Sequence, residues 1–120
     1  YMAKHNILGT KGEEMACCFL ESKGYTILER NWRWRKLELD IIAQKDEELI
    51  IVEVKTRRSN NFGEPEDAIT DYKIRNIINA ADVYVKKNRT DMSVRFDIIS
   101  ITGTDENSEI KHIENAFSVW

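Results

Sequence analysis

Apolar positions along the chain change period several times, and each change marks an element. Between residues 10 and 24, Met15, Ala16, Phe19 and Leu20 recur at the three- and four-residue spacing of a helix with one buried face. Thr10-Lys11-Gly12-Glu13 has capping-box spacing and Gly24 is a stop signal, so the pattern predicts a helix opening at Thr10. Tyr25 to Arg35 alternates instead, with Trp32 and Trp34 on one face and Arg33 and Arg35 on the other, as a strand does. Two apolar runs follow, Leu39–Ala43 and Leu49–Val54, joined by a polar stretch centred on Asp46-Glu47; they read as the arms of a β-hairpin. Ser59 to Pro65 is polar, holds Gly63 and the chain's only proline, and predicts a loop. A long helix is expected from about Glu66 to Lys87, on the stripe of Ile74, Ile77, Ile78, Ala81 and Val85. Val94–Ile101 predicts a strong strand and Ile110–Ile113 a short last one, with Tyr72, Tyr84 and Phe96 in the core. The order α-β-β-β-α-β-β predicts an α/β fold, a mixed β-sheet flanked by helices, in one domain over residues 1–120.

Composition matters mainly for what it excludes. With 42% hydrophobic and 32% charged residues the chain has the balance of a folded globular protein rather than a disordered one. No apolar run approaches the roughly 18 residues of a membrane span, and Tyr1 to Gly9 has no continuous apolar stretch of the kind a signal peptide needs. Cys17 and Cys18 are neighbours on a predicted helix and point about 100° apart, which suits free thiols in a reducing cytoplasm. A net charge of −3 argues against a protein that coats nucleic acid without specificity. The charge is segregated, however. Arg30, Arg33, Arg35 and Lys36 fall in one seven-residue segment free of acids, and Lys55, Arg57 and Arg58 follow, so an acidic protein can still present one basic face.

The candidate chemistry lies on the hairpin. Strand alternation puts Asp40 on a face with Glu38 and Ile42, and Glu53 on a face with Ile51, Lys55 and Arg57. A two- or four-residue connection centred on Asp46-Glu47 gives one register, in which Asp40 stands opposite Glu53 and Glu38 opposite Lys55. Opposed residues have Cβ atoms about 4.5–5.5 Å apart. Two carboxylates at that separation repel unless a proton or a cation stands between them. A hard ion such as Mg²⁺ or Mn²⁺ takes a few carboxylate oxygens and completes its shell with water and substrate phosphate. Lys55, two residues from Glu53 on the same face, could orient the attacking water or offset charge on a phosphorane. The competing reading is an ordinary hairpin in which Glu38 and Lys55 form a cross-strand ion pair. A one-residue slip would also separate Asp40 from Glu53.

Further stretches carry a family resemblance. They are Gly9-x-x-Gly12-Glu13, Gly24-Tyr25, Arg30-Asn31, Glu38-Leu39-Asp40-Ile41-Ile42-Ala43 and Val52-Glu53-Val54-Lys55-Thr56-Arg57, then Phe62-Gly63-x-Pro65, Lys73 and Arg95-Phe96-Asp97. In this order, over nearly the whole chain, they resemble the YraN-like family of small bacterial proteins. That family is itself similar to the archaeal Holliday junction resolvases, within the PD-(D/E)xK restriction-endonuclease-like nucleases. The resemblance implies a restriction-endonuclease-like fold, with Asp40 and Glu53 as metal ligands and Lys55 as the lysine of the ExK motif. It also implies a glutamate on the first helix, which falls on Glu13. At about 100° per residue Glu13 borders the apolar face while Glu14 points nearly opposite, although Glu13 is equally the capping-box glutamate. Products with a 5′-phosphate and a 3′-hydroxyl, and a two-fold dimer able to cut a four-way junction twice, are implied by the same resemblance. This chain departs from the family pattern at Leu37, where glycine usually precedes the Glu-x-Asp element; leucine suggests a more regular strand.

Other basic and aromatic residues have two readings each. Arg33, Arg35 and Lys36 are phosphate contacts or a solvated strand face, and Arg57 and Arg58 continue from the site towards a phosphate backbone. Lys73 aligns with a position close to the active site of related nucleases, or is a surface lysine. Trp32 and Trp34 stack on bases or pack in the core. His5 and His112 are isolated in sequence and suggest no ligand. The leading expectation is a Mg²⁺- or Mn²⁺-dependent endonuclease acting on DNA, branched DNA included, in recombination or repair. Its alternative is a non-catalytic nucleic-acid-binding module or adaptor on the same fold.

Overall fold

A computed structural model describes residues 4–57, 69–103 and 107–119, with side chains of the first helix from Lys11 onward. Seven elements follow in the expected order: α1 (Lys4–Ser22), β1 (Thr26–Trp34), β2 (Leu37–Lys45), β3 (Glu48–Arg57), α2 (Asp71–Asn88), β4 (Ser93–Thr102) and β5 (Glu109–Phe117). The α/β reading holds, with three changes at element ends. Helix α1 begins at Lys4, so Thr10 is interior and the capping-box reading of Thr10 and Glu13 fails. Helix α2 begins at Asp71, because Thr70 is extended (φ −80°, ψ 161°) and its Oγ1 accepts the Lys73 N–H at 3.2 Å; Glu66, the predicted start of the helix, lies outside the described residues. Strand β5 runs nine residues, well beyond Ile110–Ile113. The expected loop from Ser59 to Pro65 lies outside the described residues. Gly24 does end α1: at φ 89° it donates to Glu21 O, while the Tyr25 N–H reaches back to Leu20 O, and both Leu20 and Tyr25 are buried.

The five strands form one sheet in the order β1-β2-β3-β4-β5. Strands β3 and β4 are parallel, joined by the α2 crossover, and the other pairs are antiparallel. Two-residue turns at Arg35-Lys36 and Asp46-Glu47 close the first two hairpins, with Arg35 (φ 57°) and Asp46 (φ 54°) in left-handed conformation. The sheet is covered on both sides. Ala16, Cys17 and Leu20 of α1 pack on Ile41, Ala43, Ile50, Val52, Ile99 and Ile101. Ile77, Ala80, Ala81 and Tyr84 of α2 pack on Leu39, Ile42, Leu49, Ile51 and Phe96. Buried Gly12 lets α1 approach β3, since a Cβ there would run into the Thr56 methyl. Tyr84 and Phe96 are core residues as expected, but Tyr72 is 69% exposed.

Strand β2 does not keep one alternation throughout. Leu39 faces α2, yet Ile41, two residues on, faces α1. A regular strand would put both on one side. The same reversal occurs across from it on β1, where the Arg30 charge acts on Glu13 and Cys17 of α1 while Trp32 packs edge-on against Tyr84 of α2 at 5.3 Å. Between them Asn31 is left-handed, at φ 51°. Both strands therefore twist over at the Asn31/Asp40 level.

Candidate active site

The β2–β3 ladder has the expected register, from Lys45↔Glu48 up to Ile41↔Val52, and stops there. The next pair would be Asp40 and Glu53. Beyond it β2 stays paired with β1 through Trp34↔Leu37, and β3 stays paired with β4 through Arg57↔Thr102. The sheet thus forks, and the two carboxylates stand at the fork. There the Val54 N–H has no β2 carbonyl partner and donates to Asp40 Oδ2 at 2.9 Å. The twist at Asn31/Asp40 turns the Asp40 side chain along the sheet towards β3.

Glu53 is buried, its side chain only 6% exposed, and its carboxyl hydrogen-bonds to that of Asp40. Burial first, and the Asp40 charge second, push the Glu53 carboxyl up to about 7, against the lowering pull of Lys73 and Lys55. Asp40 is also held above the usual carboxylate range, chiefly by burial, with the Val54 and Glu53 hydrogen bonds opposing. Glu53 therefore keeps its proton, hydrogen-bonded to Asp40, until the pH approaches about 7. Two ammonium groups converge on the same oxygen: Lys55 Nζ is 3.5 Å and Lys73 Nζ 3.7 Å from Glu53 Oε2.

Glu13 looks towards the sheet and is half-buried, while Glu14 is exposed, as the helical wheel predicts. It bonds to the Asn31 side chain. Burial, and next the Asp40 charge, raise its carboxyl. Asp40, Glu53, Lys55 and Lys73 thus meet directly, and Glu13 approaches from α1 within electrostatic reach. Among the described residues no three His, Cys, Asp or Glu side chains converge closely enough to hold an ion by themselves. The donor set fits a hard ion taking two protein carboxylates and filling its remaining positions from water and phosphate. Two opposed carboxyls, Glu53 buried and Asp40 half-buried, kept together by a proton and two ammoniums are a place a divalent cation would neutralise.

The remaining basic residues spread outward. Arg33 does not stand free: it pairs with Glu38 across the hairpin at 3.2 Å, so the expected Glu38–Lys55 pair is absent because β2 has parted from β3. Arg35 stacks on the Trp34 ring at 4.3 Å, and Lys36 is exposed at the turn. Leu37 opens β2 opposite Trp34 and packs towards α2, in keeping with a regular strand start. Arg57 is half-buried at the end of β3; Arg58 lies outside the described residues. Cys17 is buried and Cys18 exposed, both free.

One cluster escaped the sequence. Asp97, fully buried on the α1 side of β4, accepts two bonds from Arg95 (2.9 and 2.8 Å), the Asn115 N–H (2.9 Å) and a 2.8 Å contact with His112 Nε2. Arg95 reaches Tyr25 Oη at 2.6 Å, and Lys23 Nζ lies 3.0 Å from His112 Nδ1. Burial would raise the Asp97 carboxyl, but the bonds from His112, Arg95 and Asn115 hold it below the usual range. The Arg95-x-Asp97 spacing on a strand was the available signal; His112, fifteen residues on, was not. This network ties β5 and the end of α1 to the sheet.

The chain matches the model of a family described as "Uncharacterised protein family UPF0102" over residues 12–101. It is 53% identical to a UPF0102 protein of Phocaeicola vulgatus over 99% of this chain and all of the relative. A UPF0102 protein of Bacteroides fragilis is 52% identical over 97% of this chain and 96% of its own length. Another, from Flavobacterium psychrophilum, is 48% identical over 97% and 98%.

Proposed function

For this chain, which belongs to the UPF0102 family, we propose a divalent-metal-dependent endonuclease that hydrolyses DNA phosphodiesters. The observation that carries the reading is the fork: Asp40 and Glu53 share a buried hydrogen bond with Lys55 and Lys73 at 3.5 and 3.7 Å from Glu53 Oε2. Pure binding of DNA gains nothing from opposed carboxyls, which repel phosphate once ionised. Asp40 and Glu53 would hold Mg²⁺ or Mn²⁺, and Glu13, within electrostatic reach of Asp40, would be a third carboxylate near the ion. The ion supplies a lowered pKa for bound water and charge neutralisation at the phosphate.

The chain's own residues do the rest. Lys55, fixed on β3 with its Nζ 3.5 Å from Glu53 Oε2, would offset charge developing on the attacked phosphate. The Val54 N–H donates to Asp40 Oδ2 and orients the carboxylate that would hold the ion. Arg57, Arg35, Lys36 and Arg33 extend from the fork along β3 and the β1–β2 turn, where a DNA backbone would run; Arg58 follows Arg57 in sequence. A two-fold dimer would present two such forks to a branched substrate. The second reading is a binding module on the same fold, favoured by Glu53 already having two lysine partners, which neutralise the fork without a metal.

The deciding experiment titrates wild type and Asp40→Asn with Mg²⁺ or Mn²⁺ by calorimetry and assays junction and linear DNA cleavage on the same samples. The nuclease reading expects metal binding that the variant loses and metal-dependent nicking by wild type. Wild type that binds no metal, even with DNA present, leaves the binding module.

A further inference from the structure

Glu53 Oε2 has two ammonium neighbours that reach it by different routes. Lys55 sits two residues along the same strand, and its backbone is fixed in the β3–β4 ladder opposite Ser100. Its side chain is 29% exposed. Lys73 comes from the first turn of α2, on the far side of the crossover, and its side chain is 42% exposed. Thr70 anchors the stem through the Lys73 N–H, so the backbone is held while the four-carbon side chain can turn. At 3.7 Å the Lys73 contact is an approach of charges rather than a hydrogen bond.

A divalent ion on Asp40 and Glu53 would bring two further positive charges to a place that already holds two ammoniums. Holding all of these charges together is costly, and Lys73, the more exposed ammonium and the one farther from Glu53 Oε2, is the more easily released. We propose that Lys73 is an exchangeable counter-ion: it balances Glu53 in the metal-free protein, is displaced when a divalent cation binds, and then engages the DNA phosphate. Metal and DNA binding are thereby linked through Lys73, which acts as a positioning residue. The proposal rests on the nuclease reading above.

The thermodynamics give opposite signs for one substitution. Removing Lys73 removes a competitor of the ion, so metal binds more tightly without DNA. It also removes the group that metal releases towards phosphate, so metal strengthens DNA binding less than in wild type. Linkage of this kind is typically worth about 5- to 150-fold.

The test measures Mn²⁺ affinity by calorimetry for wild type, Lys73→Met, Lys73→Arg and Lys55→Met, without DNA. Fluorescence anisotropy on a labelled four-way junction follows, with and without Ca²⁺ in place of Mn²⁺. The expected result is Mn²⁺ binding about tenfold tighter in Lys73→Met and near wild type in Lys73→Arg. Ca²⁺ should strengthen junction binding several-fold more in wild type and Lys73→Arg than in Lys73→Met. Unchanged or weaker Mn²⁺ binding in Lys73→Met, with wild type binding normally, overturns the role of Lys73 alone. So does tightening seen only in Lys55→Met. Wild type that binds no Mn²⁺ with or without DNA overturns the nuclease reading and this proposal together.

Discussion

Replacing Glu53 by glutamine should stabilise the protein at alkaline pH, an unusual outcome for a buried charged residue with two lysine partners. In the folded chain the Glu53 carboxyl titrates at about 7, against an ordinary value of 4.5. A raised value means the fold binds the proton more tightly than the unfolded chain does. The associated stability is complete below about pH 4.5 and is lost as pH climbs through about 7. At about 1.4 kcal/mol per pH unit, the interval is worth roughly 3 kcal/mol. Wild type should therefore lose about 3 kcal/mol between pH 5 and pH 8.5, seen as a lower urea midpoint with an unchanged slope and a Tm drop of roughly 10 °C. Glu53→Gln keeps the shape of the protonated acid and the bond to Asp40 but cannot ionise. Its stability should be nearly level over that range, close to wild type at pH 5 and about 3 kcal/mol above it at pH 8.5. Urea unfolding of both proteins at four pH values, without divalent ions, measures this directly. If wild type is as stable at pH 8.5 as at pH 5, or the variant is weaker than wild type throughout, the shared-proton account of the fork is wrong.

Asp97→Ala leaves the Arg95 guanidinium half-buried without its main partner and should cost about 3–5 kcal/mol in urea unfolding at pH 7. Because the Asp97 carboxyl is held below its ordinary 3.8, its contribution is present above that pH and lost as acid carries the protein below it; the variant's acid-unfolding limb should flatten. Gly12→Ala forces a methyl into Thr56 and should cost about 1–3 kcal/mol, readable as a lower Tm. Thr70→Ala removes the α2 cap and should cost about 1 kcal/mol, measured by the urea midpoint.

The sequence carried the element order and the β2–β3 register up to Ile41↔Val52 because both follow from short-range pattern. A two-residue turn on Asp46-Glu47 admits only one pairing that buries Ile41, Ile42, Ile50 and Ile51 together. The start of α1 was misplaced because Thr10 and Glu13 have cap spacing whether or not the helix continues upstream, and here it does. The twist at Asn31/Asp40 was invisible for a different reason. Strict alternation is the only rule a lone strand supplies, and the reversal shows only in the packing of Leu39 against α2 and Ile41 against α1. Lys73 could be placed near Glu53 only by resemblance, since nothing local says where a crossover helix will set its first turn. His112 looked isolated because its partner, Asp97, lies on a neighbouring strand.

The bond from the Val54 amide to Asp40 gives the fork a built-in spectroscopic reporter. Most amides along β3 are locked by neighbouring backbone and report on the sheet as a whole. This one is held by a side chain at the centre of the proposed chemistry, so its exchange rate with solvent deuterium and its proton chemical shift follow the state of one carboxylate. Whatever arrives at Asp40, whether proton, metal or phosphate-bound water, should register first at a single backbone resonance.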